Sequence, residues 1–377
     1  MGAVEDGGDR ETRAALALAS VPGFGPATIR DLVDLFGSAD AVLAAGRSPR
    51  SVPTSHPDAP RYRSLLGRLR GVHPVAPGRL HQLRRKDIGL VTYGTSAYPV
   101  PLAHLHHPPP VLYFRGPAAL SPHGAVAIVG TRRATEYGRR LAGDIAGGLA
   151  RAGHAVISGL ARGIDAAAHR ACLGAGGVTI GVLGSGLDHR YPVSSGDLYR
   201  AIPERGLLVS EFPPELGPRA GFFPRRNRII AALASAVVVV QAGRRSGALI
   251  TVAHALELGR DVFAVPGPVG TPASEGVHGL LRDGAAVATS ASDVLELLGG
   301  ALGAEDTAGD RQPPRYGDAR DRLLELVGDG VSGVDALTTA TGLPAGRTLA
   351  MLSMLEIEGH VRALRGGRFV AAAVTEA

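Results

Sequence analysis

GFFPRRNRIIAALASAVVVVQAGRRSG, residues 221–247, holds the pattern that decides the fold. Residues 236–240 form an apolar run short enough for a strand and too apolar to face water on either side. Residues 227–233 before it have helical spacing, and 243–247 after it read as a glycine-rich turn. Helix, buried strand and glycine loop make the repeating unit of a sheet covered on both faces. The same stretch is unusual in charge. No Asp or Glu occurs from Leu216 to Leu256, yet Arg219, Arg225, Arg226, Arg228, Arg244 and Arg245 all lie within it. Cations without a local counter-ion, next to Phe222 and Phe223, point to an external anion.

The unit recurs on both sides. Apolar runs fall at 125–129, 155–157, 178–183, 207–209, 236–240 and 262–265. Helical segments fall at 137–151, 163–172, 197–202, 227–233 and 248–258. The pattern predicts an α/β fold with a Rossmann-like, doubly wound, mostly parallel sheet, whose ligand site lies at the carboxyl ends of the strands. The loops at those ends are rich in glycine: Gly130-Thr131-Arg132-Arg133, Ser158-Gly159 through Arg162-Gly163 to Asp165, Gly184-Ser185-Gly186, Gly243 to Gly247, and Pro266-Gly267-Pro268. Glycine before a helix start lets backbone N–H groups approach an anion. Five such loops on one sheet edge predict a phosphate-binding face. The first loop does not supply Gly-x-Gly-x-x-Gly, and no Gly-Lys-Ser/Thr occurs, so neither a dinucleotide site nor a P-loop is expected.

The flanks read as separate domains. Residues 1–80 are a helical N-terminal domain, helix-hairpin-helix/SAM-like, with a tight turn over Val21 to Pro26. No basic residue lies in that turn, so a plain helical hairpin without a ligand is expected ahead of a phosphate-holding turn. Residues 81–300 form the extended Rossmann-like domain, with a further strand at 88–93 and one ending at Arg115 bounded by prolines. Residues 301–316 are a Gly/Ala/Asp/Pro-rich flexible linker. Residues 317–377 carry helical patterns at 319–327, 333–341 and 345–358 and then a Gly-Gly hairpin, the order of a winged helix. Its third helix holds Arg347 but also Glu356 and Glu358, a poor reader of duplex DNA, so partner binding or packing is expected there.

Composition agrees with a globular chain of 377 residues, 45% hydrophobic and 20% charged, with a net charge of +6. No apolar run is long enough for a membrane span, and the acidic N-terminus is no signal peptide, so a cytoplasmic location is expected. Cys172 is the single cysteine, which excludes a disulfide framework and a cysteine-based zinc site. Lys86 is the single lysine, so any phosphate contact falls to guanidinium groups. No cofactor, no metal and no catalytic residue are expected.

The segments Ile128 to Arg132, Ser158 to His169, Gly184 to Asp188, Ser210 to Pro213, Phe223 to Ile230, Ser246 to Thr251 and Ala264 to Gly267 together resemble the DNA-processing protein A (DprA/Smf) family. The resemblance spans about residues 14–373. It implies a Rossmann domain that binds single-stranded DNA, dimerises, and loads a RecA-type recombinase onto incoming strands during natural transformation, without catalytic turnover. Carried over by position, Arg132 and the segment from Phe223 to Arg228 line the DNA pocket. His278 stands where the family pattern leads one to expect Asn.

The expected strand-binding set is therefore Arg132, Arg133, Ser158, Gly159, Arg162, Gly163, Gly184, Gly186, Phe223, Arg225, Arg226, Asn227, Arg228, Arg244, Ser246, Gly247 and Thr251. Arginines would meet the backbone and Phe222 or Phe223 a base. Phe223 reads equally as core packing, Asn227 and Arg228 as anchors of the following helix, and Asp165 as a structural acid. His169 reads as a buried histidine, and Glu211 as the group that holds an arginine. Two rival functions stand beside this one. A phosphoribohydrolase-like enzyme would need a carboxylate where this chain has His254. A duplex-DNA regulator would act through residues 319–373.

Overall fold

The computed structural model of the protein describes residues 7–48, 58–117, 124–302, 316–330, 333–341, 360–364 and 368–371, with a few single positions between them. Residues Met1–Leu295 form one compact unit and Glu296–Ala377 a second.

Five helices open the first unit: α1 (Gly7–Ala19), α2 (Pro26–Phe36), α3 (Ala39–Arg47), α4 (Ala59–Gly67) and α5 (Pro77–Arg85). Between α1 and α2 the chain turns at Gly23, φ +76°, and Pro26 starts α2 where its missing N–H costs nothing. Arg68 donates to the Pro22 carbonyl and sits 5.1 Å over the Phe24 ring, so a cation from beyond α4 is spent on the turn itself. The sequence pattern hides α5, because only Leu80 and Leu83 are buried in it.

The remaining elements of this unit are β1 (Gly89–Thr92), α6 (Val100–Ala103), β2 (Val111–Arg115), β3 (Val126–Val129), α7 (Glu136–Arg151), β4 (Val156–Ser158), α8 (Ile164–Gly174), β5 (Thr179–Val182), α9 (Gly196–Arg205), β6 (Leu207–Ser210), α10 (Phe222–Leu233), β7 (Ala236–Val239), α11 (Ala248–Glu257), β8 (Asp261–Ala264), α12 (Glu275–Arg282), β9 (Ala286–Val287) and the first residues of α13 (Ala291–Leu302). The strands join in one sheet of nine, ordered β1-β2-β6-β5-β4-β3-β7-β8-β9. From β6 to β9 every pairing is parallel, and β2 and β1 add an antiparallel edge. Chain order runs one way from β3 to β6 and the other way from β7 to β9. The reversal lies between β3 and β7, where Val126 pairs with Ala236 and Val129 with Val239. In such sheets the strand-end loops diverge at the reversal and leave a crevice.

Side chains of alternate sheet positions feed two cores. Ala127, Val129, Ile157, Ile180, Val182 and Val209 pack with α10 and α11 residues such as Ile229, Ile230 and Val252. On the other side, Leu160, Leu183, Leu198, Ile202 and Leu208 share one apolar cluster with the buried faces of α1 to α5. Val237, Val238 and Val239 are fully buried. Burying a valine or isoleucine side chain is worth roughly 1.5–3 kcal/mol, so the valine run is structural support.

The structure differs from the sequence reading in several places. α10 starts at Phe222, not at 227, because Pro224 in the first helical turn forfeits no hydrogen bond. The two-residue β9, too short for a periodic signal, extends the sheet beyond the last predicted strand, and α12 before it was not among the predicted helices. α13 continues to Leu302, past the expected start of the linker at 301, and residues 303–315 lie outside the described set.

In the second unit, α14 (Tyr316–Gly328) and α15 (Val334–Thr341) precede a hairpin of β10 (Val361–Leu364) and β11 (Arg368–Ala371). Gly333 adds an antiparallel bridge to Arg368, the third strand position of a winged helix. Leu323, Val327, Leu337, Leu352, Leu355, Val361 and Phe369 form its core. Most of the helix predicted at 345–358, with Arg347 and Glu358, lies outside the described residues, as do Gly366 and Gly367.

Candidate nucleic-acid interface

At the reversal point a cleft of about 420 Å³ opens over the carboxyl ends of β3 and β7. Its floor is Val129, Gly130 and Ile230. Thr131, Arg132 and Arg133 form one wall, and Ser246, Gly247, Ala248 and Thr251 form the opposite wall. Phe223, Pro224, Arg226 and Asn227 close one end from α10, with Ala161 and Asp165 beside them. The first turns of α8, α10 and α11 thus face the cleft, and their unpaired N–H groups carry partial positive charge.

The walls are held by hydrogen bonds. Thr131 N–H donates to the Gln241 carbonyl (2.7 Å), which ties the loop after β3 to the end of β7. The Gln241 side chain accepts from Thr135 N–H (3.0 Å) and donates to Thr135 Oγ1 (2.9 Å), while Thr135 caps α7 by accepting from Gly138 N–H. Asn227 Nδ2 donates to the Gly247 carbonyl (3.1 Å), which ties α10 to the loop before α11. Gly163 has φ +83°, and a Cβ there would lie 2.3 Å from the Thr131 carbonyl. Only glycine lets the loop before α8 pass so close to the loop after β3.

Arg226 is the strut of the site. It is buried, and Nη1 donates to the carbonyls of Gly159 (2.7 Å) and Val182, the ends of β4 and β5. Its Nε donates to Asn227 Oδ1 (3.2 Å). A Cβ on Gly159 would lie 2.4 Å from the guanidinium, so a side chain there would push Arg226 off its hydrogen bonds. Burial pulls the Arg226 pKa down to about 10, opposed by the charge of Asp165. Asp165 is also buried, and Oδ2 accepts from Gly159 N–H (3.2 Å) and Ala161 N–H (3.3 Å). Burial pushes its pKa up, while Arg226 and those amides pull it down. Asp165 therefore fits the structural role that its position in the first helical turn predicts.

The unpaired cations are others: Arg132 and Arg133 line the cleft, and Arg162 lines an adjoining hollow. Arg132, Arg133 and Arg162 are exposed, and none has an ion pair among the described residues. The Arg132 guanidinium lies 5.3 Å over the Phe223 ring, and the ring of Tyr191 is 5.3 Å from Phe223 at 40°. Gly184 makes room for Phe223, for a Cβ there would lie 2.6 Å from the ring. Arg132, Phe223 and Pro224 separate the cleft from a second hollow that also touches Tyr191 and Arg219. Phe223 is half-buried, so one part of it packs and another stays open to a ligand.

Several expected residues are not brought to the cleft. Ser158 is buried and donates to the Ile128 carbonyl (2.6 Å). Gly186 packs against the carbonyls of Pro213 and Pro214, and Gly163 acts only through the loop it shapes. Arg225 and Arg228 both donate to Glu211 Oε2, at 2.7 and 2.8 Å, and burial lowers the Arg228 pKa. Glu211 so holds two arginines. Arg244 is exposed and pairs with Glu275 at 3.1 Å. Three arginines of the acid-free run thus find counter-ions outside it, in Glu211 and Glu275, and Arg226 lies in the field of Asp165. His169 is buried, with Nδ1 2.6 Å from Thr179 Oγ1, and burial pulls its pKa down to about 3. His278, on α12, has Nε2 2.9 Å from the carbonyl of Gly267 in the loop after β8. The expected set left out Tyr191, Thr131 and Arg219, although Thr131 stood in the first glycine-rich loop and Arg219 in the acid-free run. For Tyr191 the one signal was its position just after the Gly184-Ser185-Gly186 loop.

His254, at the position where a hydrolase would carry its acid, lies 3.2 Å from Glu257. Asp165 is the only carboxylate that lines the cleft among the described residues. No group of three or more His, Cys, Asp or Glu among them could hold a metal. No helix of the described residues is long and apolar enough to cross a membrane.

The chain can now be set against known proteins. Residues 89–299 match the family model of DNA recombination-mediator protein A, and residues 304–367 that of the DprA winged helix domain. A putative DNA processing protein DprA of Mycobacterium tuberculosis is 45% identical over 284 residues, 71% of this chain and 72% of that protein. The Smf protein of Escherichia coli is 39% identical over 291 residues, 76% of this chain and 78% of its own. The X-ray structure of DprA from Streptococcus pneumoniae superposes with a TM-score of 0.60 at 31% identity, covering 76% of this chain and 97% of that one. DNA processing protein A from Helicobacter pylori, solved for its single-stranded DNA binding mode, gives 0.51 at 29%, over 56% and 95%. A model match across the whole parallel sheet, a second across the winged helix and identities of this size leave one conclusion: the chain belongs to the DNA recombination-mediator protein A (DprA/Smf) family.

Proposed function

We propose that this protein binds single-stranded DNA in the cleft over β3 and β7 and acts in DNA processing without catalytic turnover. The observation that carries the reading is the pairing of unpaired, exposed Arg132 with the half-open Phe223 ring at the cleft mouth. Single strands are held by a cationic groove for the backbone and aromatic faces for bases. Arg132, Arg133 and Arg162 supply the first, and Phe223 with Tyr191 the second. The relative from H. pylori, described by its single-stranded DNA binding mode, supports the ligand class.

Loading of a RecA-type recombinase during natural transformation, and a homodimer through the Rossmann-like domain, belong to the same proposal. They rest on family membership and on relatives named as DNA processing proteins. The hydrolase alternative lacks support at the cleft, where Asp165, the one carboxylate among the described lining residues, accepts from loop amides and lies in the field of Arg226. Incubation with nucleoside monophosphates tests it: no base release is expected, and turnover would replace the binding account.

The direct test of binding is fluorescence anisotropy with oligo-dT. Affinity should fall with salt at a slope of roughly −0.7 per phosphate neutralised, and a flat response would remove the phosphate-led interface.

A further inference from the structure

A second cationic hollow lies away from the cleft. It measures about 310 Å³ and sits between α5 and the loop that follows β6, lined by Arg79, Gln82, Leu83, Arg85, Lys86 and Glu215. α5 itself contains no carboxylate. Arg79 is held by Glu215 through two contacts, Nη1 to Oε1 at 2.7 Å and Nη2 to Oε2 at 2.9 Å. Lys86 Nζ donates to Asp188 Oδ2 (2.7 Å), which Arg115 also approaches at 3.8 Å. Arg85 is exposed and has no ion pair among the described residues. Arg79, Arg85, Lys86 and Arg115 thus share two carboxylates, and the hollow keeps an excess of positive charge.

Its carboxylates come from the same two loops that build the cleft mouth. Asp188 precedes Tyr191, and Glu215 precedes Arg219 and Phe223. His189 Nε2 lies 2.7 Å from the Glu215 carbonyl and locks one loop to the other. From Glu215 to Phe223 the chain can span at most about 28 Å. Arg190 and Arg219 are exposed on that route without an ion pair among the described residues. The interval suits a strand of the length that single-strand binders cover, about 4–16 nucleotides.

We infer that this hollow is a second subsite for the phosphodiester backbone of a single strand whose other end occupies the cleft. The strand runs past Arg219 and Arg190, and the hollow takes phosphate without reading bases, since no aromatic side chain lines it. The inference rests on the cleft reading. Its test uses the full chain, Arg85→Glu and labelled oligo-dT from about 4 to about 20 nucleotides. The variant should lose roughly tenfold in affinity for the longest strands, the scale of one charge-assisted contact. It should bind the shortest like the wild type, which also shows that it is folded. Its salt slope on long strands should shrink by about 0.7. Unchanged affinity for long strands, or an equal loss at every length, would overturn the second subsite and leave the cleft standing. A wild type that binds no strand at all would overturn both.

Discussion

Arg226 lies in the middle of the arginine-rich segment, yet its predicted loss is one of stability before it is one of binding. Arg226→Met keeps the length and removes the charge. Two strand-end carbonyls, Gly159 and Val182, then lose their donor, and buried Asp165 loses its cation. A buried acceptor left without its donor costs about 1–3 kcal/mol, and two are left here. A domain of ordinary stability has about 5–15 kcal/mol in all. Urea unfolding should therefore show a midpoint far below the wild type with an unchanged slope. Asp165→Asn in the same chain removes the orphaned carboxylate and keeps an acceptor for the amides of Gly159 and Ala161. The double variant should recover roughly 0.5–3 kcal/mol relative to additivity. If Arg226→Met unfolds within about 0.5 kcal/mol of the wild type and loses only strand binding, the residue is a ligand contact and the strut argument is wrong.

Arg132→Ala should behave in the opposite way, with stability within about 0.5 kcal/mol of the wild type and oligo-dT affinity down by roughly tenfold in anisotropy. Phe223→Ala should weaken the same binding by about 5- to 150-fold if one base stacks on the ring; no change would assign Phe223 to packing. Gly163→Ala places a Cβ against the Thr131 carbonyl at φ +83°, and a thermal melt should register a loss of at least about 1–3 kcal/mol. His169 is neutral in the fold, with its pKa pulled from 6.5 to about 3 by burial. The unfolded chain takes up that proton first, so the contribution is whole above pH 6.5 and is lost as pH falls towards 3. The stability difference between wild type and His169→Gln should shrink by about 1.4 kcal/mol per pH unit in that window, and a pH-independent difference would refute the assignment.

Legibility followed chemistry more closely than length. Each strand from β3 to β8 was visible because a doubly covered strand is an unbroken apolar run. α5 was hidden because it buries only Leu80 and Leu83, and β9 because two residues carry no period. Pro224 masked the first turn of α10, where proline is in fact harmless. At the site, the loops were legible and the charge balance was not. Counter-ions act through space: Glu211 reaches Arg225 and Arg228 across 14 and 17 residues, and Glu275 reaches Arg244 from α12. A window that looks acid-free in the chain is half neutralised in the fold. Arg132, outside that window, is left as the open cation beside Phe223.

One comparison tests strand binding in the cleft most directly: the affinity of the full chain, and of its Arg132→Ala variant, for a single strand and for the duplex of the same sequence. The cleft predicts tighter binding of the single strand, and loss of that preference in the variant. Equal or tighter binding of duplex, or a variant that holds single strands as well as the wild type, would contradict it.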